Sequence, residues 1–289
     1  MKPTYQFDET LIDNISEFNN EFFKRFELRH APEPIKLNEA VSKNYLFPTF
    51  YDHVTCAIGI FFCNYEKAQA LLPSKRFKPV SMLKNRSVVI FSCYEYKKVS
   101  GIPGYNEIAM TIPMFFDREK FPPVLPLLKK GMKGFGYHVF SMPVTSYENQ
   151  LRGLNIWGLP KVVEQIDIKQ ENGTSTTQAY DQDGKEYFRL KVPMAGKEQL
   201  FDESGWIYSV KGNKILKSET NFKGNFNVKK FTGRLLKVPS KDTSNCLYLG
   251  DSERAKDLRF LEINPNPLQF RHSTYVSSCF DLAKEEHSL

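Results

Sequence analysis

Three glycine-containing turns separate strand-forming runs in the second half of the chain. They are Asn172-Gly173, Asp183-Gly184 and Gly212-Asn213. Dipeptides of this kind tolerate the positive backbone φ angles that a tight hairpin turn requires. Their spacing predicts antiparallel strands that follow one another in a meander. The sequence therefore predicts a mainly β fold.

Further strands are predicted upstream of these turns. Runs of β-branched and aromatic residues predict strands at 54–63, 87–97, 107–113 and 136–144. Asn64 is expected to cap a short helix that Pro73 ends, and residues 146–151 are expected to form one helical turn. Lys161 is expected to begin another strand after a glycine-containing loop.

The N-terminal segment carries apolar residues at helical spacing, namely Leu11, Ile15, Phe18, Phe22 and Phe26. This periodicity predicts an amphipathic helix over residues 8–29, ended by the prolines that follow it. We therefore divide the chain into an N-terminal helix and linker, 1–34, and a main domain, 35–289. No clean domain boundary is evident in the main domain, although the polar stretch 193–205 is expected to be a connection at which one could fall.

Composition narrows the class of protein. Of the 289 residues, 41% are hydrophobic and 14% aromatic, which supplies a core and is untypical of disorder. The net charge is +7, but Lys and Arg alternate with acids instead of forming a block. We therefore expect a solvated, mildly basic surface, no nucleic-acid partner, and a charge that suits an anionic substrate. Neither a secretory signal nor a membrane-spanning apolar stretch is recognised, so the cytoplasm is the expected compartment and no membrane partner is expected.

Residue types that bind metals are scattered along the chain. The five cysteines are an odd number and lie mostly in apolar runs, so they are expected to be reduced core thiols. The five histidines show no pairwise metal-ligand spacing. We therefore expect no metal site.

One lysine is embedded among large apolar side chains, in the stretch Asn155-Ile156-Trp157-Gly158-Leu159-Pro160-Lys161-Val162-Val163. Burial disfavours an ammonium and lowers its pKa from the usual value of about 10.4, which makes the amine nucleophilic at neutral pH. The simpler interpretation is that Lys161 extends along Trp157 into water.

A carboxylate begins an otherwise apolar strand at Glu107. Taken alone, a glutamate at a junction between a loop and a strand usually points into solvent. In a cleft shared with Lys161, the same side chain would serve as a proton donor or hydrogen-bond partner.

Together these segments resemble the acetoacetate decarboxylase family. The correspondence lies in the apolar-Gly-apolar-Pro-Lys stretch that ends at Lys161, and in Tyr105-x-Glu107 with Pro113 six residues after the glutamate. It covers residues 51–167. The resemblance implies that Lys161 forms the Schiff base and that Glu107 is the active-site glutamate. It also implies an antiparallel β-barrel or cone of two sheets with peripheral helices, and a homo-oligomer.

Three positions depart from the family pattern. Val162 stands where a lysine commonly follows the nucleophile, so burial is the expected cause of activation. Val54 stands where decarboxylases place an arginine for the substrate carboxylate, with His53 beside it. Arg152 precedes the glycine of the lysine loop instead of following it. The expected substrate-binding residues are Trp157, Tyr105, Arg152 and His53.

The resemblance implies a carboxy-lyase whose partner is a small oxo acid. Lys161 would decarboxylate a 3-oxo acid, either acetoacetate or a longer and more apolar analogue, to a ketone and carbon dioxide. No metal or organic cofactor is required. An alternative keeps the imine but forms a carbon–carbon bond, as an aldolase or aldolase-dehydratase acting on a 2-oxo acid such as pyruvate. A second alternative is a non-catalytic barrel that binds a ligand.

Overall fold

Seven strands close into a barrel in the computed structural model, which describes residues 1–118, 132–237, 239 and 245–289. The strands are β1 (Arg29–His30), β2 (Ile35–Lys36), β3 (Ser42–Lys43), β4 (Leu46–Phe47), β5 (Thr49–Asn64), β6 (Phe77–Pro79), β7 (Arg86–Val99), β8 (Tyr105–Phe116), β9 (Phe135–Val144), β10 (Lys161–Val163), β11 (Gln165–Glu171), β12 (Thr174–Tyr180), β13 (Glu186–Pro193), β14 (Lys197–Lys211), β15 (Lys214–Lys230), β16 (Leu247–Leu249) and β17 (Pro267–Ser288). The order around the barrel is β9-β14-β15-β17-β5-β7-β8, and β8 pairs with β9 to close it.

Helical structure is peripheral to the barrel. The α-helices of the described residues are α1 (Tyr65–Leu71), α2 (Tyr147–Arg152) and α3 (Lys256–Phe260). Short 3-10 turns lie at Ile15–Glu17, Phe23–Arg25, Thr232–Leu235 and Glu253–Ala255, and a π-helical turn lies at Gly153–Trp157. None of these helices has the length and apolar character needed to span a bilayer.

The three predicted hairpin turns are confirmed. They join β11 to β12, β12 to β13, and β14 to β15, and each pair is antiparallel. The glycines Gly173, Gly184 and Gly212 all have positive φ angles, of 70°, 76° and 59°. The mainly β, barrel-forming class predicted from the sequence is therefore correct.

A second sheet, ordered β11-β12-β13-β16, covers one outer side of the barrel. Its apolar side chains form one buried cluster with outward-facing residues of β5, β7 and β8; members include Ala57, Phe61, Phe91, Ile108, Met110, Ile166, Phe188 and Leu190. Strand β8 is consequently buried along its whole length. Alternate β8 side chains face the second sheet and the barrel interior, so its interior positions, including Glu107, are shielded from bulk water.

Several predicted elements are found with adjusted ends. The strands predicted at 54–63, 87–97 and 136–144 lie within β5, β7 and β9. Asn64 caps α1 by accepting a hydrogen bond from the backbone N–H of Lys67 at 3.2 Å. Lys161 begins β10 as expected. The predicted end of the β8 strand at Pro113 is wrong, because the ladder to β9 continues past the proline to Phe115.

The polar stretch 193–205 is not a connection between domains. Only residues 194–196 separate β13 from β14, and β14 pairs with β15 from Lys197 onward. One face of this part of β14 is exposed, which explains its polar composition. The division of the chain at residue 34 stays a prediction.

The helix predicted over residues 8–29 is wrong. Only two 3-10 turns form there, Ile15–Glu17 and Phe23–Arg25. Two asparagine side chains bind backbone groups in place of helical bonds. Asn14 donates to the carbonyl of Val99 and accepts from Gly101 N–H, and Asn20 accepts from Phe22 N–H. Such side-chain bonds compete with helix formation, so the apolar periodicity reports contacts with the barrel and not a helix.

The N-terminal segment packs against one side of the barrel through aromatic rings. Phe18, Phe22 and Phe23 are buried in one cluster with Phe50 of β5 and Cys279 of β17. The Phe23 ring lies 4.7 Å from that of Phe50. All five cysteines are buried thiols outside disulfide bonds, in agreement with the sequence.

This packing predicts that Phe23→Ala destabilises the protein. Phe23 is 2% exposed, and truncation of a buried phenylalanine costs about 3–5 kcal/mol. The measurement is the free energy of unfolding from denaturant titration. Leu200→Ala is the control, because Leu200 is 64% exposed and its loss should change stability by less than about 0.5 kcal/mol. Equal costs for the two variants would contradict a packed N-terminal segment.

Candidate active site

Lys161 and Glu107 meet inside the barrel. The Lys161 Nζ donates a hydrogen bond to Glu107 Oε2 at 2.6 Å, and each side chain is only 5% exposed. Glu107 comes from β8, and Lys161 from β10, which pairs in parallel with the end of β9. The two residues proposed from separate sequence segments are therefore in direct contact.

Two glycines position Lys161, one by allowing a tight turn before it and the other by leaving space for its side chain. Gly158 has a φ of 62°, and a Cβ there would lie 2.3 Å from the carbonyl oxygen of Val210, so only glycine fits this turn. At Gly153 a Cβ would lie 2.4 Å from Cδ of Lys161. The lysine stem thus occupies the space that a side chain at position 153 would fill.

Four tyrosines surround the carboxylate of Glu107, namely Tyr51, Tyr94, Tyr96 and Tyr105. The Tyr96 hydroxyl donates to Glu107 Oε1 at 3.3 Å. Burial, with the nearby Glu107 charge as a smaller cause, raises the pKa of Tyr96 well above its usual value. Tyr96 therefore stays a neutral phenol and a hydrogen-bond donor. Tyr105 lies beneath Lys161, with its ring centroid 5.7 Å from Nζ.

Trp157 forms part of the cavity wall close to the lysine loop. It is 1% exposed, its ring packs 4.7 Å from that of Phe280, and its indole N–H donates to the carbonyl of Asp281 at 2.9 Å. The hydrogen bond and the ring contact fix Trp157 as an apolar part of the cavity wall.

The surroundings lower the pKa of Lys161. Burial is the largest cause, because it disfavours the ammonium. The charge and hydrogen bond of Glu107 oppose this effect, and the positive charge of Arg152 adds to it. A second cation therefore does act on the lysine, although Val162 offers none in the chain next to it.

Arg152 lies behind the cavity wall. It is 0% exposed, its Nη2 donates to the Thr49 hydroxyl at 2.8 Å, and its guanidinium lies 4.4 Å from the Tyr45 ring centroid. The neighbouring carboxylate of Glu148 is neutralised by Lys43, 2.9 Å away. The charge of Arg152 is thus left to act on Lys161. Arg152 is not among the residues that line the cavity, so we assign it an electrostatic effect in place of the expected contact with substrate.

His53 is also outside the cavity. Its side chain is 58% exposed, and its ring lies 5.0 Å from that of Tyr275 at the surface. Its φ of 52° interrupts the alternation of β5. Val54, in contrast, is buried and lines the cavity. The structure gives His53 no contact with the site.

The cavity encloses about 230 Å³, a size that suits a small organic molecule. Its described lining is largely apolar and aromatic: Tyr51, Val54, Cys56, Ile58, Ile60, Ile90, Ser92, Tyr94, Tyr96, Glu107, Ala109, Thr111, Tyr137, Val139, Met142, Trp157, Leu159, Lys161, Ile207, Thr220, Phe222, Phe226, Arg271, Val276, Ser278, Cys279 and Phe280. Within the described ranges, no group of three or more His, Cys, Asp and Glu side chains is arranged to hold a metal ion.

Sequence reasoning missed Tyr94, Tyr96 and Arg271. The two tyrosines are two residues apart in a predicted strand, and this spacing was a usable signal that they share a face. Arg271 shares its face of β17 with Gln269 and Ser273, a polar pattern typical of an exposed strand face. Nothing in the sequence distinguishes such a face from a polar part of a barrel interior.

Comparison with known proteins identifies relatives. A family model described as acetoacetate decarboxylase matches residues 33–222. The fold is similar to that of acetoacetate decarboxylase from Legionella pneumophila subsp. pneumophila, with a TM-score of 0.57, 14% identity, and coverage of 83% of this chain and 87% of that chain. It is also similar to a second solved acetoacetate decarboxylase, with a TM-score of 0.56, 10% identity, and coverage of 84% and 89%.

A third similar structure is the enduracididine biosynthesis enzyme MppR, solved with the condensation product of pyruvate and imidazole 4-carboxaldehyde. Its TM-score is 0.54, with 11% identity and coverage of 89% of this chain and 97% of that chain. No curated protein sequence matches the chain. At these identities the structural similarities establish the fold.

The electrostatics of the pair predict opposite pKa shifts for two variants. Glu107→Gln removes the carboxylate that stabilises the ammonium, so the pKa of Lys161 should fall. Arg152→Met removes a cation that repels the ammonium, so the pKa should rise. Because the neutral amine reacts, the labelling profile should move to lower pH in Glu107→Gln and to higher pH in Arg152→Met. The measurement is the pH dependence of Lys161 acetylation by acetic anhydride, followed by mass spectrometry.

The exposed Lys84 is the internal reference in each sample, and its profile should be the same in all variants. Shifts of Lys161 in the same direction in both variants, or no shift in either, would contradict this account of its electrostatics.

Proposed function

The chain belongs to the acetoacetate decarboxylase family, and we propose that it is an enzyme whose Lys161 forms a Schiff base with an oxo acid and releases carbon dioxide. The observation that carries the proposal is the contact of a buried lysine amine with a buried carboxylate, 2.6 Å apart, in a cavity of small-molecule size. A purely structural role is a poor explanation, because apolar residues of similar volume often stabilise a protein as well as a buried ion pair does.

The pair shares a proton that the reaction needs. If the proton moves from Lys161 Nζ to Glu107 Oε2, a neutral amine and a neutral carboxylic acid result, and no buried charge remains on either residue. The neutral amine is the nucleophile, and the carboxylic acid is the proton donor for the next step. The hydroxyl of Tyr96 holds the other oxygen of Glu107 and so orients its carboxyl group.

Imine formation follows from this arrangement. The Lys161 nitrogen adds to the ketone carbon, and a proton moves from that nitrogen to the carbonyl oxygen, which becomes a hydroxyl group. Glu107 then donates its proton to that hydroxyl, which leaves as water, and the nitrogen becomes a positively charged iminium. The wall formed by Trp157 and the tyrosines excludes bulk water from the cavity, which keeps the amine pKa low.

The iminium draws electrons from the adjacent bond. For a 3-oxo acid, the bond between the carboxylate carbon and its neighbour breaks, its electron pair forms the C=C bond of an enamine, the π pair of the C=N bond moves to nitrogen, and carbon dioxide leaves. The resulting enamine takes up one proton from water, through Glu107, at the carbon that lost the carboxylate. Hydrolysis of the new iminium then frees the ketone and restores the amine.

The lining supports an oxo acid larger and more apolar than acetoacetate. Val54 lies on the wall and cannot pair with a carboxylate, whereas the apolar side chains around it favour alkyl groups by about 0.8 kcal/mol for each buried methylene. The absence of an arginine at Val54 also favours a second candidate. In that case the enamine of a 2-oxo acid such as pyruvate attacks an aldehyde, as in an aldolase or aldolase-dehydratase. Release of carbon dioxide from 3-oxo acids separates the two activities.

Borohydride reduction should attach a small ketone or oxo acid to Lys161. Reduction converts the imine to a stable secondary amine, so intact-mass and peptide mass spectrometry should find one adduct, on Lys161. Lys161→Met combined with Glu107→Gln is the matched control, because it removes both members of the pair and leaves no lone buried charge. An adduct that persists in this variant, or that is spread over surface lysines, would exclude the Schiff-base assignment and favour a binding barrel.

Replacement of Glu107 by Gln should slow turnover by at least about tenfold while some trapped adduct still forms. A group that transfers protons in the transition state contributes about 10²–10⁴ in rate. The measurement is the steady-state rate of carbon dioxide release. Glu164→Gln is the control, since Glu164 is equally buried but binds Tyr187 and Arg254 outside the cavity. Equal rates for the wild type and Glu107→Gln would remove Glu107 from the mechanism.

A further inference from the structure

Arg271 places a second cation inside the cavity. Of the described residues that line it, Lys161 and Arg271 are the ones with cationic side chains. The Arg271 Nε is buried and has no hydrogen-bond partner among the described residues. Its Nη2 makes a long contact of 3.4 Å with the amide oxygen of Gln269. A guanidinium has five N–H donors, so most of its capacity is unused.

The guanidinium is held by groups that do not neutralise it. The Phe201 ring centroid lies 4.8 Å from its central carbon. Burial lowers the pKa of Arg271, while the charge of Glu203 and the neighbouring Tyr137 favour the charged form. The described residues form no salt bridge to Arg271, although Glu203 is near enough to act on it electrostatically. Arg271 is partly buried, and a guanidinium on the cavity wall with no salt bridge to the described residues can bind a carboxylate through two parallel bonds.

Arg271 lies away from the reacting amine. In the sheet register, Arg271 of β17 faces Ile58 of β5, Ile58 faces Ser92 of β7, and Ser92 faces Ala109 of β8. Glu107 is two residues from Ala109 on the same face of β8. Three strand spacings of about 4.8 Å each therefore separate the strand of Arg271 from that of Glu107 along the wall.

The charge effects on Lys161 are consistent with a position of Arg271 away from the amine. The largest charge effects on the pKa of Lys161 come from Glu107 and Arg152. Tyr94 lies between the two ends, because both Glu107 and Arg271 interact with it. In the strand register, the wall between Glu107 and Arg271 is uncharged and carries Cys56, Ile58, Ser92, Tyr94 and Ala109. The cavity thus offers a nucleophile and, three strands away along the wall, a guanidinium with no salt bridge to the described residues, with uncharged side chains between them.

Building on the proposed function, we propose that the substrate is a 3-oxo dicarboxylic acid whose distal carboxylate binds Arg271. The carbonyl carbon forms the iminium with Lys161, and the near carboxylate leaves as carbon dioxide when its carbon–carbon bond breaks, the electron pair of that bond forming the C=C bond of an enamine as the C=N π pair moves to nitrogen. The distal carboxylate is unchanged through the reaction and remains paired with the guanidinium. An apolar methylene chain joins the two ends. The product is a methyl ketone that keeps one carboxylate, a 4-oxo acid or a longer homologue.

The test compares pairs of 3-oxo acids of equal chain length, with six, eight and ten carbons, each made with and without a terminal carboxylate. The measurement is kcat/KM for carbon dioxide release. At one chain length or more, the diacid should be preferred by roughly 10- to 100-fold, the range expected for a hydrogen-bonded charge pair. Arg271→Met should remove that preference by lowering kcat/KM for the diacid while leaving the monoacid within about threefold. Arg271→Lys should keep part of it.

Arg86→Met is the matched control, because Arg86 also lies over an aromatic ring, that of Phe62 at 3.9 Å, but does not line the cavity. It should leave the preference unchanged. If monoacids are turned over and no diacid is preferred, or if Arg271→Met slows both substrates equally, the role of Arg271 is wrong while the Schiff-base function stands. If no substrate is turned over and borohydride traps none on Lys161, the proposed function fails and the assignment of the diacid fails with it.

Discussion

The 2.6 Å contact between the Lys161 amine and the Glu107 carboxylate lies where water is scarce, and such a pair is tolerated only while each partner stays with the other. Removal of one partner strands a charge at a cost of about 3–5 kcal/mol. Two parts of the fold cover the barrel around this pair. The second sheet covers the outer face of β8, and the N-terminal phenylalanines pack against β5 and β17. Neither cover contributes a proposed catalytic residue, yet both support the barrel that keeps the pair dry.

Barrel closure also decides how a lysine from outside the seven strands reaches the interior. Strand β9 pairs with β14 at Tyr137 and His138, but with β10 from Met142 to Val144. Where β14 leaves β9, β10 takes its place, and the lysine enters the cavity there. The glycine turn before β10 must then pass very close to β14, which is why a Cβ at Gly158 would collide with the Val210 carbonyl. One exchange of strand partners thus explains the parallel pairing, the glycine and the position of Lys161.

The sequence predicted what depends on local chemistry and missed what depends on distant packing. Asn172-Gly173 forms a hairpin because its φ preference is local, and Lys161 was found because its apolar neighbours are adjacent in the chain. The prediction of an N-terminal helix is wrong because Asn14 donates to the Val99 carbonyl and Asn20 donates to the Ser277 hydroxyl. Both partners are distant in sequence, and only the folded protein brings them near. Arg271 was missed for a similar reason, since its strand shows a polar face whose exposure is decided by barrel closure.

Arg152 and Arg271 have different roles in the proposed function: Arg152 acts on the pKa of Lys161, and Arg271 binds the substrate anion. Arg152 is bound to Thr49, stacked on Tyr45 and set behind the wall, so its charge reaches the amine but its donors do not reach a ligand. Arg271 lines the cavity, three strands along the wall from Glu107, and the largest charge effects on Lys161 come from Glu107 and Arg152. A cation that touched both the amine and the substrate anion would be neutralised on binding, and the amine pKa would then rise as substrate entered. Under the proposed function, separation of the two charges would keep the nucleophile active in the occupied site, and the distance between Lys161 and Arg271 would set the length of the substrate.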